Sequence, residues 1–186
     1  MWFNPSHITK NVSQKTLLAR LVPFRGMPLL AVDSLLELAE LREGDVLYDL
    51  GSGDGRVIIT AAKRYGVRVV GIEIDDALVT ASQQAAKQQG VDHLMTVREE
   101  DFLQTDLSEA TVVILYLLPE LHAQLIPQLG KLPPNARVLT LSFEIPGLQP
   151  SAVWSFGGGA NMRLISRYDA PFRTSHTSGV ARKKKS

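Results

Sequence analysis

The segment from Asp49 to Arg56 combines acidic side chains with closely spaced glycines, and it is the part of the sequence best suited to bind a ligand. It reads Asp-Leu-Gly-Ser-Gly-Asp-Gly-Arg and lies where a predicted strand ends and a predicted helix begins. At such a turn a ligand meets backbone N–H groups and the positive end of a helix, and glycine lets the backbone approach closely. An ordinary tight turn is the alternative interpretation.

The charge of this segment indicates which kind of ligand it would take. Asp49 and Asp54 would repel the pyrophosphate of a dinucleotide, whereas they favour an uncharged nucleoside joined to a cationic amino acid. S-adenosylmethionine has this form: its ammonium group can interact with Asp49, and its carboxylate with N–H groups of the loop. The predicted cofactor contacts in the loop are Asp49, Gly51, Ser52, Gly53, Asp54, Gly55 and Arg56.

Acidic residues also end the next two predicted strands. Glu73, followed by Ile74, comes at close to the spacing of about 20 residues at which a carboxylate meets ribose hydroxyls in nucleoside-binding folds. Asp101 can accept a hydrogen bond from an adenine amino group while Phe102 packs on the ring. We predict that all four residues contact the cofactor. Acidic side chains that only face solvent are the alternative for Glu73 and Asp101.

The acceptor side of the same pocket is predicted at the end of the fourth strand. Tyr116 is the candidate catalytic residue, and also a cofactor contact, because its hydroxyl could orient an incoming amine. A buried tyrosine that only packs is the alternative. An apolar or proline-rich group is predicted to form the substrate side and a lid, namely Pro23, Phe24, Leu117, Leu118, Pro119 and Phe143. For Pro23 and Phe24, a strap that merely packs on the domain is the alternative.

The elements that would position these residues alternate between strand and helix. Apolar periodicity predicts helices over 29–41, 57–65, 76–89 and 119–130, and strands over 46–50, 67–74, 96–100, 112–118 and 137–143. Four of the five strands are continuous apolar runs, which is typical of a parallel sheet covered on both faces. Two further runs around Gly157-Gly-Gly159 predict an antiparallel hairpin at the sheet edge. The fold class is therefore α/β, a doubly wound and mostly parallel sheet.

Composition excludes several classes of protein. The 186 residues suit a single domain, they contain no cysteine, and the formal net charge of +1 provides no broad basic field for nucleic acid. The four histidines have no metal-ligand spacing, and no run approaches the roughly 20 apolar residues of a membrane span. We predict a cytoplasmic protein without a metal or a covalent nucleophile. Residues 15–22 leave two alternatives, a short helix at a membrane interface or one docked on its own domain.

The chain resembles the class I methyltransferases, and more specifically bacterial relatives of the lysine methyltransferases of the ATP synthase c subunit and the adenine nucleotide translocase. The resemblance rests on Asp49 to Arg56, Gly71-Ile-Glu-Ile74, Asp101-Phe102 and Tyr116 to Pro119, and it spans roughly residues 22–168. It implies a seven-stranded Rossmann-like sheet, the cofactor contacts given above, and transfer of a methyl group to a lysine ε-amine.

The sequence therefore predicts a methyltransferase domain over residues 23–169, after an N-terminal extension over 1–22 and before a disordered basic tail over 170–186. The predicted partner is a protein with an accessible lysine, either soluble or associated with a membrane. Methylation of RNA or of a small molecule, and binding of S-adenosylmethionine without turnover, are the alternatives. The sequence does not indicate an oligomeric state.

Overall fold

The computed structural model describes residues 26–159 and 162–174, which form four α-helices and nine strands. The helices are α1 (Leu29–Leu38), α2 (Arg56–Tyr65), α3 (Asp76–Gln89) and α4 (Pro119–Leu129). The strands are β1 (Val46–Leu50), β2 (Arg68–Glu73), β3 (Met95–Glu99), β4 (Val112–Leu115), β5 (Arg137–Leu141), β6 (Leu148–Gln149), β7 (Ala152–Phe156), β8 (Arg163–Asp169) and β9 (Arg173–Thr174).

Seven of these strands form one sheet in the order β3-β2-β1-β4-β5-β8-β7. Strands β1 to β5 pair in parallel, β8 is antiparallel to β5, and β7 is antiparallel to β8. The mainly parallel seven-stranded fold and the antiparallel hairpin at its edge are therefore confirmed. The chain leaves β1 toward one side of the sheet and β4 toward the other, so a crevice opens between their carboxyl ends, where ligands bind in sheets of this kind.

The helix boundaries follow from local sequence signals. Gly55 precedes α2 with a φ of 80°, and Gly66 ends it with a φ of 65°. The side chain of Asp75 accepts the N–H groups of Ala77 and Leu78 and so caps α3. Pro119 begins α4 at the first helical position, where it loses no hydrogen bond. These signals place α2 directly after the glycine loop and α4 directly after Tyr116 to Leu118.

The two faces of the sheet are covered differently. Helices α1, α2 and α3 pack on one face through residues such as Leu35, Ile58 and Ala86. On the other face α4 is the only helix among the described residues, and it packs through Leu125 and Leu129. The rest of that face is covered by loop residues that follow β3 and β5, including Phe102, Leu107, Ala110 and Ile145. The loops at the carboxyl edge are therefore part of the core as well as of the candidate site.

Two strands end earlier in the structure than the sequence predicts. Strand β4 stops at Leu115 rather than at residue 118, because Leu118 caps the helix that Pro119 begins. Strand β5 stops at Leu141 rather than at residue 143, because Ser142 adopts a φ of 72°, which lies outside the β region.

The boundary of the predicted tail at Ala170 is also too early. The N–H of Ala170 donates to the carbonyl of Ala136, and β9 pairs with β6, so the folded chain continues to Thr174. Residues 1–25, 160–161 and 175–186, which include Pro23 and Phe24, the 15–22 segment and the basic run at the C-terminus, lie outside the described part of the chain.

None of the helices within 26–159 and 162–174 is both long enough and apolar enough to span a membrane.

Candidate functional site at the carboxyl edge of the sheet

The glycine loop between β1 and α2 is anchored to the end of β2. The N–H groups of Gly51 and Ser52 both donate to the carbonyl oxygen of Ile72, at 2.8 and 3.0 Å, and the N–H of Gly55 donates to the carbonyl of Ser52 at 3.0 Å. The loop is therefore folded tightly over the carboxyl ends of β1 and β2. The predicted glycine loop and the predicted acidic end of β2 thus lie side by side.

Glu73 is the second anchor of this loop. One oxygen of its carboxylate accepts the N–H of Gly53 at 2.9 Å, and the other accepts the N–H groups of Ile74 and Asp75 at 2.8 and 3.0 Å. The residue is only 9% exposed. Since a carboxylate offers about four lone-pair sites, these three bonds leave capacity for a ligand hydroxyl. Sequence reasoning predicted the ligand contact of Glu73 but missed its part in holding the loop.

Asp49 is a buried carboxyl group in an acidic environment. It lies within β1 and is 4% exposed. Burial raises its pKa to about 7, and the negative charges of Glu73 and Asp54 act in the same direction. A ligand cation next to Asp49 would stabilise its ionised form and lower this pKa. The electrostatics of the pocket therefore favour a cationic ligand, in agreement with the charge argument from the sequence.

Arg56 connects the loop to the polypeptide that precedes α1. Its guanidinium pairs with the carboxylate of Asp54, with N–O distances of 2.9, 3.1 and 2.6 Å, and its Nη1 donates to the carbonyl of Met27 at 2.9 Å. The pair holds the pKa of Asp54 below its usual value, chiefly through the hydrogen bonds from Arg56. Gly26 packs against the guanidinium, where a Cβ would be 2.6 Å away. Cofactor contacts from Asp54 and Arg56 stay predictions, and the contacts that the two side chains make in the structure are within the protein.

Two close approaches that sequence reasoning missed fix the shape of the loop. A Cβ at Gly71 would lie 2.7 Å from Ser52 Oγ and from Ile58 Cδ1, and a Cβ at Gly55 would lie 2.4 Å from Ser82 Oγ. The hydroxyls of Ser52 and Ser82 are buried and have no hydrogen-bond partner among the described residues. Gly71 and Ser82 therefore shape the loop from β2 and α3. Gly71 belongs to the segment Gly71-Ile-Glu-Ile74 that carries the resemblance, but its packing role is not evident from that segment, and Ser82 lies in no motif.

Replacing Gly71 with alanine is expected to displace the loop and to lower the free energy of unfolding by about 2 kcal/mol, the usual cost of forcing a methyl group into a packed core. Urea denaturation would measure the change. Gly130→Ala is the matched control, because a Cβ there would come no closer than 3.6 Å to a neighbouring atom. If Gly71→Ala had the same free energy of unfolding as the wild type, the expectation would be wrong, and the loop could shift to accommodate the methyl group without loss of stability.

The loop after β3 is tied to the same edge. The N–H of Glu100 donates to the carbonyl of Glu73 at 3.0 Å, and the carboxylate of Asp101 accepts the N–H of Leu103 at 2.9 Å. Phe102 is 7% exposed and belongs to the core on the α4 face. The structure therefore brings Asp101 close to the end of β2, while the predicted packing of Phe102 on a ring stays a prediction.

The ends of β4 and β5 form the other side of the crevice. Tyr116 is half-buried and packs against the core on the α1–α3 face. Leu117 covers the glycine loop, since its Cδ2 would be 3.1 Å from a Cβ at Gly51. Leu118 and Phe143 are exposed, at 44% and 42%. Of the predicted acceptor-side residues that the structure describes, Leu117 is therefore the one that contacts the glycine loop, while the roles of Tyr116, Leu118, Pro119 and Phe143 stay predictions. Pro23 and Phe24 of the predicted lid lie outside the described residues.

Among residues 26–159 and 162–174 no group of three or more histidine or acidic side chains could hold a metal ion.

The part of the chain that forms this site matches a known family of enzymes. Residues 49–152, from Asp49 to the start of β7, match the ANTKMT methyltransferase domain. A protein-lysine N-methyltransferase of Saccharolobus islandicus is 40% identical over 134 residues, which cover 71% of this chain and 83% of that protein. The human lysine N-methyltransferase of the ATP synthase c subunit is 30% identical over 150 residues, which cover 80% of this chain and 62% of that protein.

Solved structures share the fold. An RNA methyltransferase from Salinibacter ruber, crystallised with S-adenosylhomocysteine, superposes with a TM-score of 0.74 at 42% identity, and the match covers 78% of this chain and 93% of that chain. TrmN from Thermus thermophilus superposes with a TM-score of 0.67 at 21% identity, and the match covers 77% of this chain and 49% of that chain.

Proposed function

Since the chain belongs to the ANTKMT methyltransferase family and is an S-adenosylmethionine-dependent methyltransferase, we propose that it methylates the ε-amino group of a lysine in a protein. The observation that carries the proposal is the 40% identity to an archaeal protein-lysine N-methyltransferase over 83% of that protein's length. The human and Xenopus laevis lysine methyltransferases of the ATP synthase support the same acceptor chemistry, at 30% and 32% identity.

The acidic edge fits this cofactor in charge and in position. When bound, S-adenosylmethionine supplies an electrophilic methyl group on a positively charged sulfur. In our proposal Asp49 pairs with the ammonium of its methionine part, Glu73 accepts a hydrogen bond from a ribose hydroxyl, and Asp101 accepts one from the adenine amino group. The raised pKa of Asp49 is the structural observation that supports a cationic ligand at this place.

The acceptor side supports transfer to an amine without a dedicated base. A lysine must lose its proton before it attacks, and an apolar surrounding favours the neutral amine because it disfavours the ammonium form. Leu117, Leu118 and Phe143 would supply this surrounding, and Tyr116 would orient the amine. Most of the rate is then expected to come from alignment of the two reactants and from exclusion of water.

RNA is the second candidate acceptor. It is favoured by the Salinibacter ruber neighbour, which is an RNA methyltransferase. The formal net charge of +1 argues against it, because RNA-binding proteins need a basic surface that compensates the phosphate charge.

A labelling experiment separates the two acceptors. Purified protein would be incubated with methyl-labelled S-adenosylmethionine and with membrane, soluble-protein and RNA fractions of a host lysate. We expect label that resists nuclease and is lost on protease treatment. Glu73→Ala should abolish it, whereas Glu99→Gln should not, because Glu99 is the exposed register partner of Glu73 on β3. Label confined to RNA would contradict the lysine assignment.

Binding of S-adenosylmethionine is expected to weaken as the pH falls below 7. The pKa of Asp49 is about 7 in the cofactor-free protein, so below that pH the carboxyl is protonated and must release its proton before it can pair with the ammonium. Each pH unit below 7 should raise the dissociation constant by up to about tenfold.

Calorimetric titrations at a series of pH values, in buffers that differ in ionisation enthalpy, would measure both the affinity and the proton released. A dissociation constant that does not change with pH, together with no proton release near pH 7, would contradict the assignment of Asp49 as the partner of the ammonium.

A further inference from the structure

The peptide group between Glu144 and Ile145 is held from both sides by side chains of different elements. Its carbonyl oxygen, that of Glu144, lies 3.3 Å from Nδ1 of His122 on α4. Its N–H, that of Ile145, donates to the hydroxyl of Tyr168 on β8 at 2.9 Å. Both polar atoms of this peptide group, in the loop after β5, are thus fixed by side chains. We call the two hydrogen bonds, from His122 and to Tyr168, the 144–145 clamp.

The tautomer of His122 follows from this contact. A carbonyl oxygen only accepts, so Nδ1 must carry the proton and donate it. Burial lowers the pKa of His122, which keeps the ring neutral. Its other nitrogen, Nε2, is buried and has no hydrogen-bond partner among the described residues. An unpartnered buried nitrogen lowers the stability of the folded protein. His122 is fully buried, and the hydrogen bond to the carbonyl of Glu144 is the polar contact that its ring makes among the described residues.

Two exposed residues, Phe143 and Glu144, lie in the loop that the clamp holds. Ser142 leaves β5 with a φ of 72°, and Phe143 and Glu144 then turn outward while Ile145 returns to the core with 1% exposure. Strand β5 is the neighbour of β4, with Thr140 opposite Leu115. Phe143 and Glu144 therefore follow β5 beside the segment from Tyr116 to Leu118, on the side of the crevice away from Glu73.

The chemistry of this pair fits the arrival of a lysine. Phe143 and Leu118 are both exposed apolar side chains that follow the neighbouring strands β5 and β4, and such surface suits the aliphatic part of a lysine side chain. Glu144 places an exposed carboxylate beside them, close enough to the Tyr168 hydroxyl for its charge to raise the pKa of that hydroxyl, after burial as the main cause. A carboxylate at this point attracts the ammonium form of a lysine before the amine enters the apolar part of the crevice.

We infer that His122 and Tyr168 are positioning residues for the methyl acceptor, which fix Phe143 and Glu144 so that the Glu144 carboxylate receives the ammonium of the incoming lysine. The inference rests on the proposed lysine acceptor. Loss of the clamp should weaken binding of the acceptor. It should leave binding of S-adenosylmethionine unchanged, because the proposed cofactor contacts lie on the opposite side of the crevice.

Four variants test this assignment. Tyr168→Phe removes the hydroxyl that accepts the Ile145 N–H, and His122→Leu removes the donor to Glu144. His122→Asn keeps a donor near the position of Nδ1 and is the conservative rescue. Glu144→Gln removes only the charge. Glu43→Gln is the matched control, because Glu43 is exposed in the loop before β1, at the opposite edge of the sheet.

The acceptor would be the protein fraction of a host lysate at a series of dilutions, with methylated lysine followed by mass spectrometry. For Tyr168→Phe, His122→Leu and Glu144→Gln, we expect the half-saturating acceptor concentration to rise about tenfold, while the dissociation constant of S-adenosylmethionine stays within about twofold. His122→Asn and Glu43→Gln should behave like the wild type. Hydrogen exchange of the Ile145 amide should become faster in Tyr168→Phe and unchanged in Glu144→Gln.

The outcomes separate the two levels of the proposal. If the wild type methylates lysine and the three variants saturate at the wild-type concentration, the role of the clamp is overturned and the lysine assignment stands. If the variants lose cofactor affinity in the same proportion as acceptor affinity, the clamp is only structural and the inference is likewise overturned. If the wild type labels no lysine, the proposed function fails and the inference fails with it.

Discussion

Asp49→Asn is expected to weaken binding of S-adenosylmethionine strongly and, at the same time, to make the cofactor-free protein more stable. The asparagine side chain would occupy nearly the same volume but could not pair with the cofactor's ammonium group. Loss of one partner of a buried charge pair weakens binding by roughly 2–5 kcal/mol, which corresponds to a dissociation constant at least about 30-fold higher.

The stability gain follows from the sign of the pKa shift. The pKa of the Asp49 carboxyl rises from its ordinary value of 3.8 to about 7 on folding, because burial disfavours its ionised form. The folded state therefore holds this proton more tightly than the unfolded chain does. The resulting stabilisation is complete below pH 3.8 and is lost as the pH rises through about 7. Asparagine is neutral at every pH, so above pH 7 the variant avoids the cost of an ionised buried carboxylate, on the order of 4 kcal/mol.

Urea denaturation of the cofactor-free proteins at about pH 8, together with calorimetric titration of S-adenosylmethionine, would measure both effects. Asp92→Asn is the matched control, because Asp92 is exposed in the turn that precedes β3. An Asp49→Asn protein that is less stable than the wild type, or that binds the cofactor with wild-type affinity, would contradict the electrostatic account of the site.

Glu73→Ala is also expected to weaken binding strongly and, unlike Asp49→Asn, to destabilise the protein. The substitution removes the acceptor of three backbone N–H groups, those of Gly53, Ile74 and Asp75, and the predicted acceptor of the ribose hydroxyls. Each buried donor left without a partner costs about 1–3 kcal/mol, less where water reaches it. We expect a loss of cofactor affinity of at least about 100-fold and a clearly lower midpoint of unfolding.

The comparison of Glu73→Ala with Glu73→Gln separates the two roles of this side chain. Glutamine retains one acceptor oxygen for the loop but places an NH₂ group where the second oxygen was, so we expect it to recover part of the stability and little of the cofactor affinity. Glu99→Gln on the adjacent strand should change neither quantity. Equal recovery of stability and affinity in Glu73→Gln would show that the residue acts only by anchoring the loop.

The main parts of the site could be predicted from the sequence because their signals are local. The alternating glycines after β1 and the acidic residue at the end of β2 lie within one strand–helix–strand unit, where spacing along the chain determines position in space. The parallel strands are recognisable as continuous apolar runs. Asp49, the glycine loop and Glu73 are therefore evident in the sequence, and the structure brings them together at one edge of the sheet.

The contacts that the sequence does not reveal are long-range and carry no repeating pattern. Arg56 is predicted as a cofactor contact because of its place in the loop. Its guanidinium also binds the carbonyl of Met27, which lies 29 residues earlier in the chain. Ser82 and Gly71 shape the loop only through close packing. The two-residue strands β6 and β9 are too short to show periodicity, so the sequence predicts that the domain ends at residue 169 and the tail begins at Ala170, before β9.

The most direct test of the proposed activity is mass spectrometry of host proteins after incubation with the purified enzyme and S-adenosylmethionine that carries a trideuterated methyl group. At a concentration of S-adenosylmethionine near the wild-type dissociation constant, we expect trideuteromethyl marks on lysine side chains with the wild type, and far fewer with Asp49→Asn or Glu73→Ala. Marks found on nucleosides of RNA, with lysines unmarked, would contradict the assignment of lysine as the acceptor.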